Sequence, residues 1–301
     1  MEVAAEVPRE ERIDELVRAV SAGGDVSVRA VVATAAVREA TERYPMSPTA
    51  KSALGRALLG AVLLAVGNKQ EQSVQLIFRG DGPLGSLTAI ADSEGRVRGT
   101  VSDPGANPEP RDGQLDVAAA IGAGTLTVVR HHPSWRSPYN GIVRIETGEV
   151  ASDLAHYLRE SEQTPSAIGL AVGLDTGAQV DAAAGFLVQG LPGASQAAIA
   201  KLEHNVRLLP NAAELVRLGL RGDAIVDQLL AELGSADRQR LEPRFFCPCT
   251  RQRALRTLRL LGRREVREIA GSGAGQEVRC EFCGERYAFT SEELHSIFPD
   301  A

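Results

Sequence analysis

The chain has 301 residues, of which 44% are hydrophobic and 24% are charged, and its net charge is −6. This composition is typical of a globular protein and excludes disordered and fibrous classes, while the length suits two domains or one domain with an appended module. An acidic chain has no general attraction for nucleic acid. The longest apolar run, residues 57–66, is about half of a membrane span, and the acidic N-terminus does not resemble a secretory signal. We therefore predict a cytoplasmic protein that has neither a membrane nor a nucleic acid as a partner.

Strand and helix patterns alternate along the first 190 residues. Short apolar runs bounded by turn residues predict strands over residues 26–30, 73–79, 86–91, 96–101, 125–130, 141–146, 167–174 and 178–188. Ser47 followed by Pro48 is typical of a helix start and predicts a helix to about residue 66, and a second helix is predicted over 150–161. Because the connections between strands are short, antiparallel hairpins are favoured over parallel crossovers. We predict an α+β core domain over residues 1–192.

The pattern becomes helical after the core domain. Apolar spacing predicts three short helices, over residues 194–208, 212–218 and 224–233. Gly219 and Gly234 lie just past the ends of the last two, where a left-handed C-terminal cap favours glycine. These helices predict a helical linker over residues 193–243.

The four cysteines of the chain all lie near its C-terminus, as Cys247-Pro-Cys249 and Cys280-Glu-Phe-Cys283. Two close pairs of thiolates satisfy the tetrahedral coordination of one zinc ion, and the second pair has the spacing of zinc ribbons. The single residue between the first two cysteines is unusual for a purely structural site. Four free cysteines, two structural disulfides and an iron–sulfur cluster are the alternatives. We predict one Zn²⁺ per chain, bound by all four cysteines.

The segment that carries the cysteines differs from the rest of the chain. Residues 244–301 have a net charge of +2 against −8 for residues 1–243, and they hold six of the 12 aromatic residues. A segment of this size rarely folds on its hydrophobic core alone and usually needs a metal or disulfides. We therefore predict a small C-terminal module, stabilised by zinc, over residues 244–301.

An arginine-rich stretch follows the first cysteine pair. Residues 251–267 contain seven arginines and one glutamate, with Leu255, Leu258 and Leu261 at helical spacing. Beside a zinc site, such a stretch raises the alternative of a zinc-stapled nucleic-acid-binding protein. An amphipathic helix with its leucines inward and its arginines in solvent is favoured, because the rest of the chain is acidic.

No motif in the sequence indicates an enzyme. There is no arrangement of Ser, His and Asp for nucleophilic catalysis, no paired carboxylates and no phosphate-binding loop. A thiol–disulfide oxidoreductase would need the Cys-x-x-Cys pair on a thioredoxin-like βαβ unit. Cys280 and Cys283 lie too close to the C-terminus for such a unit to follow them.

Several longer motifs resemble one known family, the 33 kDa chaperonins (heat shock protein 33), over nearly the whole chain. The motifs are the two cysteine pairs at the family's spacing, Val97-Arg-Gly99, Ser137-Pro-Tyr-Asn-Gly141, Tyr157-Leu-Arg-Glu-Ser-Glu-Gln-Thr-Pro-Ser166 and Ala184-Gly-Phe-Leu-Val-Gln-Gly-Leu-Pro-Gly193. The chain departs from the family after the first pair. It has Cys249-Thr-Arg-Gln-Arg253. The family commonly has Cys-Ser-x-Glu-Arg at this place, so this chain has Gln252 where the family has a glutamate.

The resemblance implies a redox-regulated holdase chaperone. In the reduced state, Cys247, Cys249, Cys280 and Cys283 would bind zinc and the protein would be inactive. Oxidation would expel the metal, form the disulfides Cys247–Cys249 and Cys280–Cys283, and unfold the module and the linker. The exposed surface would then hold unfolding client proteins without ATP. The resemblance also implies a homodimer in the oxidised state and no enzymatic activity.

Overall fold

The computed structural model describes residues 14–67, 71–271 and 275–298, and it divides the chain into two compact units, one up to Phe245 and one from Phe246. The N-terminal residues on which the prediction about secretion rests lie outside the described residues. Among the described helices, none has both the length and the apolar character that crossing a bilayer requires.

The first unit alternates strands and helices. Its strands are β1 (Glu15–Val20), β2 (Val26–Val32), β3 (Ser73–Gly80), β4 (Ser86–Asp92), β5 (Arg96–Val101), β6 (Gly124–His131), β7 (Tyr139–Ile145), β8 (Ser166–Leu174), β9 (Val180–Gly190), β10 (Ala236–Leu241) and β11 (Arg244–Phe245). Its helices are α1 (Thr34–Glu42), α2 (Pro48–Ala65), α3 (Val117–Ile121), α4 (Val150–Glu160), α5 (Gln196–Leu208), α6 (Ala212–Arg217) and α7 (Gly222–Leu229).

These strands form two sheets. One has the order β10-β1-β2-β9-β8 and the other the order β11-β5-β4-β3-β6-β7. Each pair of neighbours is antiparallel except the short pairing of β11 with β5. The predicted α+β fold with antiparallel strands is therefore confirmed, and each strand predicted from the alternating patterns has a counterpart.

The centre of the first unit is helix α2, which contacts strands of both sheets. It begins as predicted, with Pro48 in its first turn and the Ser47 hydroxyl accepting a hydrogen bond from the Ala50 amide at 3.0 Å. It is buried on nearly every side, which is why its sequence is apolar all round. A Cβ at Gly60 would lie 2.5 Å from Leu154 Cδ1, so a larger residue there would force the buried Leu154 side chain of α4 to shift.

A second core lies on the other face of the five-stranded sheet, where α5, α6 and α7 pack. Val17, Val28 and Val188 of the sheet share this core with buried side chains of the three helices, among them Leu202, Leu215, Val216, Ile225 and Leu229. The Asn205 amide donates hydrogen bonds to the carbonyls of Leu229 and Ala231, both at 3.0 Å, and so ties α5 to α7. The three helices predicted for residues 193–243 are thus present, folded onto the sheet.

The prediction for residues 193–243 did not include strand β10. It pairs with the edge strand β1, and its Arg238 and Arg240 form salt bridges with Asp223 of α7. Gly219 takes the predicted left-handed conformation after α6, with φ of 84°. Gly234 also has positive φ, but α7 already ends at Leu229, so Gly234 lies in the turn before β10 and is not a helix cap.

The second unit contains α8 (Arg251–Arg259), α9 (Arg263–Gly271), β12 (Gln276–Arg279), β13 (Arg286–Phe289) and α10 (Ser291–Ser296). Its core is small and consists of the buried residues Ala254, Leu258, Val266, Ala270, Phe289, Leu294 and Ile297. The single helix predicted over 251–267 is interrupted by Gly262, whose φ is 90°. As a result Leu261 is 46% exposed, and the prediction that it faces inward with Leu258 was wrong.

Candidate metal centre

The four predicted ligands come from two short segments of the second unit. Cys247 and Cys249 immediately precede α8, and Cys280 and Cys283 lie in the turn between β12 and β13. That turn is closed by hydrogen bonds from the Cys280 amide to the Glu285 carbonyl and from the Gly284 amide to the Cys280 carbonyl, both 2.8 Å. Gly284 has a φ of 74°, a backbone conformation that favours glycine. The Cys-x-x-Cys-Gly sequence therefore folds both thiols toward the same side of the turn.

The start of α8 positions the first cysteine pair. The hydroxyl of Thr250 accepts a hydrogen bond from the Arg253 amide at 3.2 Å, so Thr250 is the N-cap of the helix. Cys249 is the residue before this N-cap, so it lies in the chain segment that leads into α8. The threonine that follows the cysteine pair in this chain thus fixes where α8 begins.

The structure brings all four cysteine sulfurs together. They lie within 4.8 Å of one another, with 3.7 Å between Cys247 Sγ and Cys280 Sγ and 3.2 Å between Cys249 Sγ and Cys283 Sγ. Four thiolates at about 2.3 Å from one tetrahedral zinc ion are about 3.8 Å apart, so the donor set and its spacing fit this metal. An iron–sulfur cluster is larger than a single ion and needs its ligands farther apart. No disulfide joins these cysteines in the structure.

The environments of the thiols are unequal. Burial raises the pKa of Cys247 to about 11, and the nearby Cys280 thiol adds to the effect. Burial also raises the pKa of Cys283 above its ordinary value. At Cys249 burial is outweighed by hydrogen bonds, above all from the Tyr287 hydroxyl at 3.3 Å, so the pKa of this thiol is lowered. Cys283 is buried and the other three are half-buried, so the cluster lies close enough to the surface for a small oxidant to reach it.

Two residues that support the cluster were not predicted from the sequence. Tyr287 lies on β13, four residues after Cys283, and its hydroxyl donates to Cys249 Sγ. Arg251 donates to the Ala288 carbonyl at 2.6 Å and to both carboxylate oxygens of Glu293, and its guanidinium lies 4.4 Å from the centre of the Phe289 ring. The sequence analysis assigned Arg251 to a solvated face, whereas it ties α8 to β13 and α10.

Comparisons with protein families, with curated proteins and with solved structures all identify the same group of proteins. A family model described as Hsp33 protein matches residues 14–290. The 33 kDa chaperonin of Geobacter sulfurreducens is 39% identical over 285 residues, covering 94% of each chain. That of Thermus thermophilus is 40% identical over 295 residues, covering 94% of this chain and 86% of its own. The crystal structure of the 33 kDa chaperonin from Thermotoga maritima superposes with a TM-score of 0.88 at 31% identity, covering 95% of this chain and 98% of its own.

Proposed function

Because the chain belongs to the Hsp33 family of 33 kDa chaperonins, whose members are chaperones rather than enzymes, we propose that it is an ATP-independent holdase activated by oxidation. Its partners are unfolding client proteins. The observation that carries the proposal is the cluster of four thiols, which holds every cysteine of the chain and lies in a unit with a very small core.

The reduced protein binds one zinc ion per chain through Cys247, Cys249, Cys280 and Cys283. The donor atoms, their number and their spacing support this assignment. When bound, zinc keeps all four thiols ionised and ties the segment before α8 to the turn between β12 and β13. Tyr287 and Arg251 hold the two segments in register from outside the cluster.

Oxidation converts the four thiols into two disulfides, Cys247–Cys249 and Cys280–Cys283. In each pair, peroxide first oxidises one thiolate to a sulfenic acid, and the second thiol displaces water to form the S–S bond. Each disulfide thus removes two electrons from the protein and reduces one molecule of peroxide to two molecules of water. Because the zinc-bound thiols are already ionised, the two protons needed for this water come from the solvent, and zinc leaves as Zn²⁺. In the folded cluster the short contacts Cys247–Cys280 and Cys249–Cys283 join different pairs, so the thiols must leave this arrangement for these two disulfides to form.

Loss of the ligands unfolds the second unit. Structural zinc in small modules contributes on the order of 10–16 kcal/mol in apparent binding free energy. The seven buried side chains in the core of the described part of this unit cannot replace that contribution against the conformational entropy of the segment. Oxidation therefore acts as a single event that removes the main source of stability of the unit.

The chain is divided by function into a client-binding and dimerisation core (1–192), a helical linker (193–243) and a redox-switch module (244–301). The linker covers an apolar sheet face that includes Val28, Phe186 and Val188. Detachment of α5, α6 and α7 would expose that face as a contiguous apolar patch, a surface suited to unfolding proteins. The oxidised protein acts as a homodimer in the cytoplasm.

The test compares reduced and oxidised protein in a client-aggregation assay. Peroxide with mild heat is expected to release one equivalent of zinc, increase the binding of a hydrophobic dye and suppress the light scattering of an unfolding client without ATP. Dithiothreitol with zinc should reverse all three effects. If the reduced, zinc-loaded protein holds clients as well as the oxidised protein does, the proposed switch is wrong.

A further inference from the structure

Three arginines of the first unit converge at the C-terminal end of helix α2. Arg18 of β1 and Arg29 of β2 are direct partners across the antiparallel pair, and Arg130 reaches the same place from β6 in the other sheet. A Cβ at Gly67 would lie 3.3 Å from Arg18 Nη1 and 3.3 Å from Arg29 Nη2. These two guanidinium groups therefore approach each other across a glycine, in a space that any larger side chain would fill.

The end of the helix accounts for part of this cluster. Arg29 Nη1 donates to the Leu63 carbonyl at 2.9 Å, and Arg130 Nη1 donates to the Leu64 carbonyl at 3.4 Å. Positive charge at this end of a helix is favourable, because the last carbonyls have no partner within the helix. Arg130 also has a carboxylate partner, since its Nε and Nη2 donate to Glu162 Oε1 at 2.9 Å and 2.7 Å.

The helix end does not account for the remaining donors. An arginine has five N–H donors, and within the described residues Arg18 has neither a hydrogen bond nor an ion pair. Arg29 Nε is buried and has no partner among those residues. Glu162 Oε1 accepts hydrogen bonds from the Tyr157 hydroxyl at 2.9 Å and from Arg130, but among the described residues no hydrogen bond joins Glu162 to Arg18 or Arg29.

The local charge is also unbalanced. Three guanidinium groups face one carboxylate and a helix end worth about −0.5 of a charge, which leaves an excess of about +1.5. Burial and the neighbouring Arg18 and Arg130 lower the pKa of Arg29 to about 10. Buried charge without a counter-ion is costly, and the planar guanidinium is suited to oxyanions, which it binds through two parallel hydrogen bonds.

We propose that Arg18 and Arg29 form a binding site for a small oxyanion, phosphate or a phosphate monoester, at the C-terminal end of α2. The anion accepts hydrogen bonds from Arg18 and from the free donors of Arg29, and Arg130 adds long-range attraction. Occupancy links β1 and β2 to the end of the central helix and stabilises the first unit in a way that depends on neither zinc nor the redox state of the cysteines.

The test is isothermal titration calorimetry and thermal unfolding of the reduced, zinc-loaded full chain, at constant ionic strength. Inorganic phosphate and glycerol phosphate are the probes, and sodium chloride is the reference salt. Phosphate is expected to bind with saturation. The unfolding temperature should rise over the same range of phosphate concentration in which calorimetry shows binding. Binding of glycerol phosphate with similar affinity would identify an open site that takes monoesters, and binding of phosphate alone would identify a closed site for the free ion.

Arg18→Gln is the informative variant, because Arg18 supports no helix carbonyl. It should weaken phosphate binding about tenfold or more, as expected for the loss of a charge-assisted hydrogen bond, while Arg18→Lys retains part of the affinity. Arg144→Gln is the matched control, since Arg144 is an exposed arginine of β7. The proposal is wrong if phosphate shows no saturable binding, or if Arg18→Gln and Arg144→Gln respond to phosphate as the unchanged protein does.

Discussion

The packing of α7 predicts a variant that holds clients without oxidation. Ile225 is fully buried in the core that α5, α6 and α7 share with the five-stranded sheet. Ile225→Ala removes most of that side chain from the contact between α7 of the linker and the five-stranded sheet. In the proposed function this contact keeps the client-binding face covered, so weakening it should uncover the face while the cysteines stay reduced.

The size of the effect follows from the burial. Replacing a fully buried Ile or Leu by Ala costs about 2–5 kcal/mol. A local loss of about 3 kcal/mol would raise the population in which the linker is detached about 150-fold, because each 1.4 kcal/mol is a factor of ten. Leu58→Ala is the matched control: Leu58 is equally buried but lies in α2, within the core on the other face of that sheet. It should destabilise the first unit without selectively releasing the linker.

The assay combines hydrogen exchange with client holding, on reduced protein with a full zinc complement. Ile225→Ala should lose protection of the α5, α6 and α7 amides and suppress client aggregation in part, whereas Leu58→Ala should do neither at temperatures where it stays folded. Equal holding by the two variants, or a loss of amide protection in Ile225→Ala with no gain in holding, would falsify the idea that the linker covers the client-binding face.

The cysteine cluster and one buried carboxyl give three more predictions. Cys280→Ser should bind zinc far more weakly and make residues 244–301 sensitive to protease, measured by metal analysis and limited proteolysis; retention of one zinc per chain would show that this thiol is not needed as a ligand. Trypsin cuts after Arg244, Arg251, Arg279 and Arg286, so mass spectrometry of oxidised protein should find two separate peptides, each with an internal disulfide; a single cross-linked product would instead mean pairing across the cluster. Burial raises the pKa of Asp14 to about 6, although the amides of Ala35 and Ala36 lower it through hydrogen bonds. Because the folded protein then holds this proton more tightly than the unfolded chain does, the free energy of unfolding should fall by about 3 kcal/mol as the pH rises from about 4 to about 6. Urea unfolding of Asp14→Asn should lack that fall, and the same pH dependence in the variant would rule Asp14 out as its source.

Elements whose stability comes from local patterns could be predicted from the sequence. The alternation in β3, β4 and β5 and the N-cap before α2 gave boundaries within about two residues of those observed. Strand β10 could not be predicted in this way. Its six residues include three charged side chains, and it forms because β1 offers a free edge and because Asp223 pairs with its arginines.

The same distinction applies to the metal site. The cysteine spacing predicts which thiols cluster, because two close pairs on turns suit one tetrahedral ion. The support for the cluster depends on distant parts of the chain. Arg251 contacts Glu293, 42 residues away, and Tyr287 meets Cys249 only because β13 returns alongside β12. Arg251 is one of seven arginines in a basic stretch, and nothing in the local sequence indicates that it has such a partner.

The distribution of sulfur in the chain explains how oxidation can act on one unit and spare the other. All four cysteines lie in the second unit. Among its described residues, seven buried side chains form the core, and in the proposed function its folding depends on a metal held by those thiols. The first unit has two extensive cores and no cysteine. Of its two methionines, Met46 is partly buried against the larger core, and methionine oxidation would not form a cross-link. In the proposed function an oxidant therefore removes on the order of 10 kcal/mol from the unit least able to lose it and leaves α2 and the strands of residues 1–192 intact. In the proposed function, the surface that binds clients thus lies in the part of the chain that contains no cysteine.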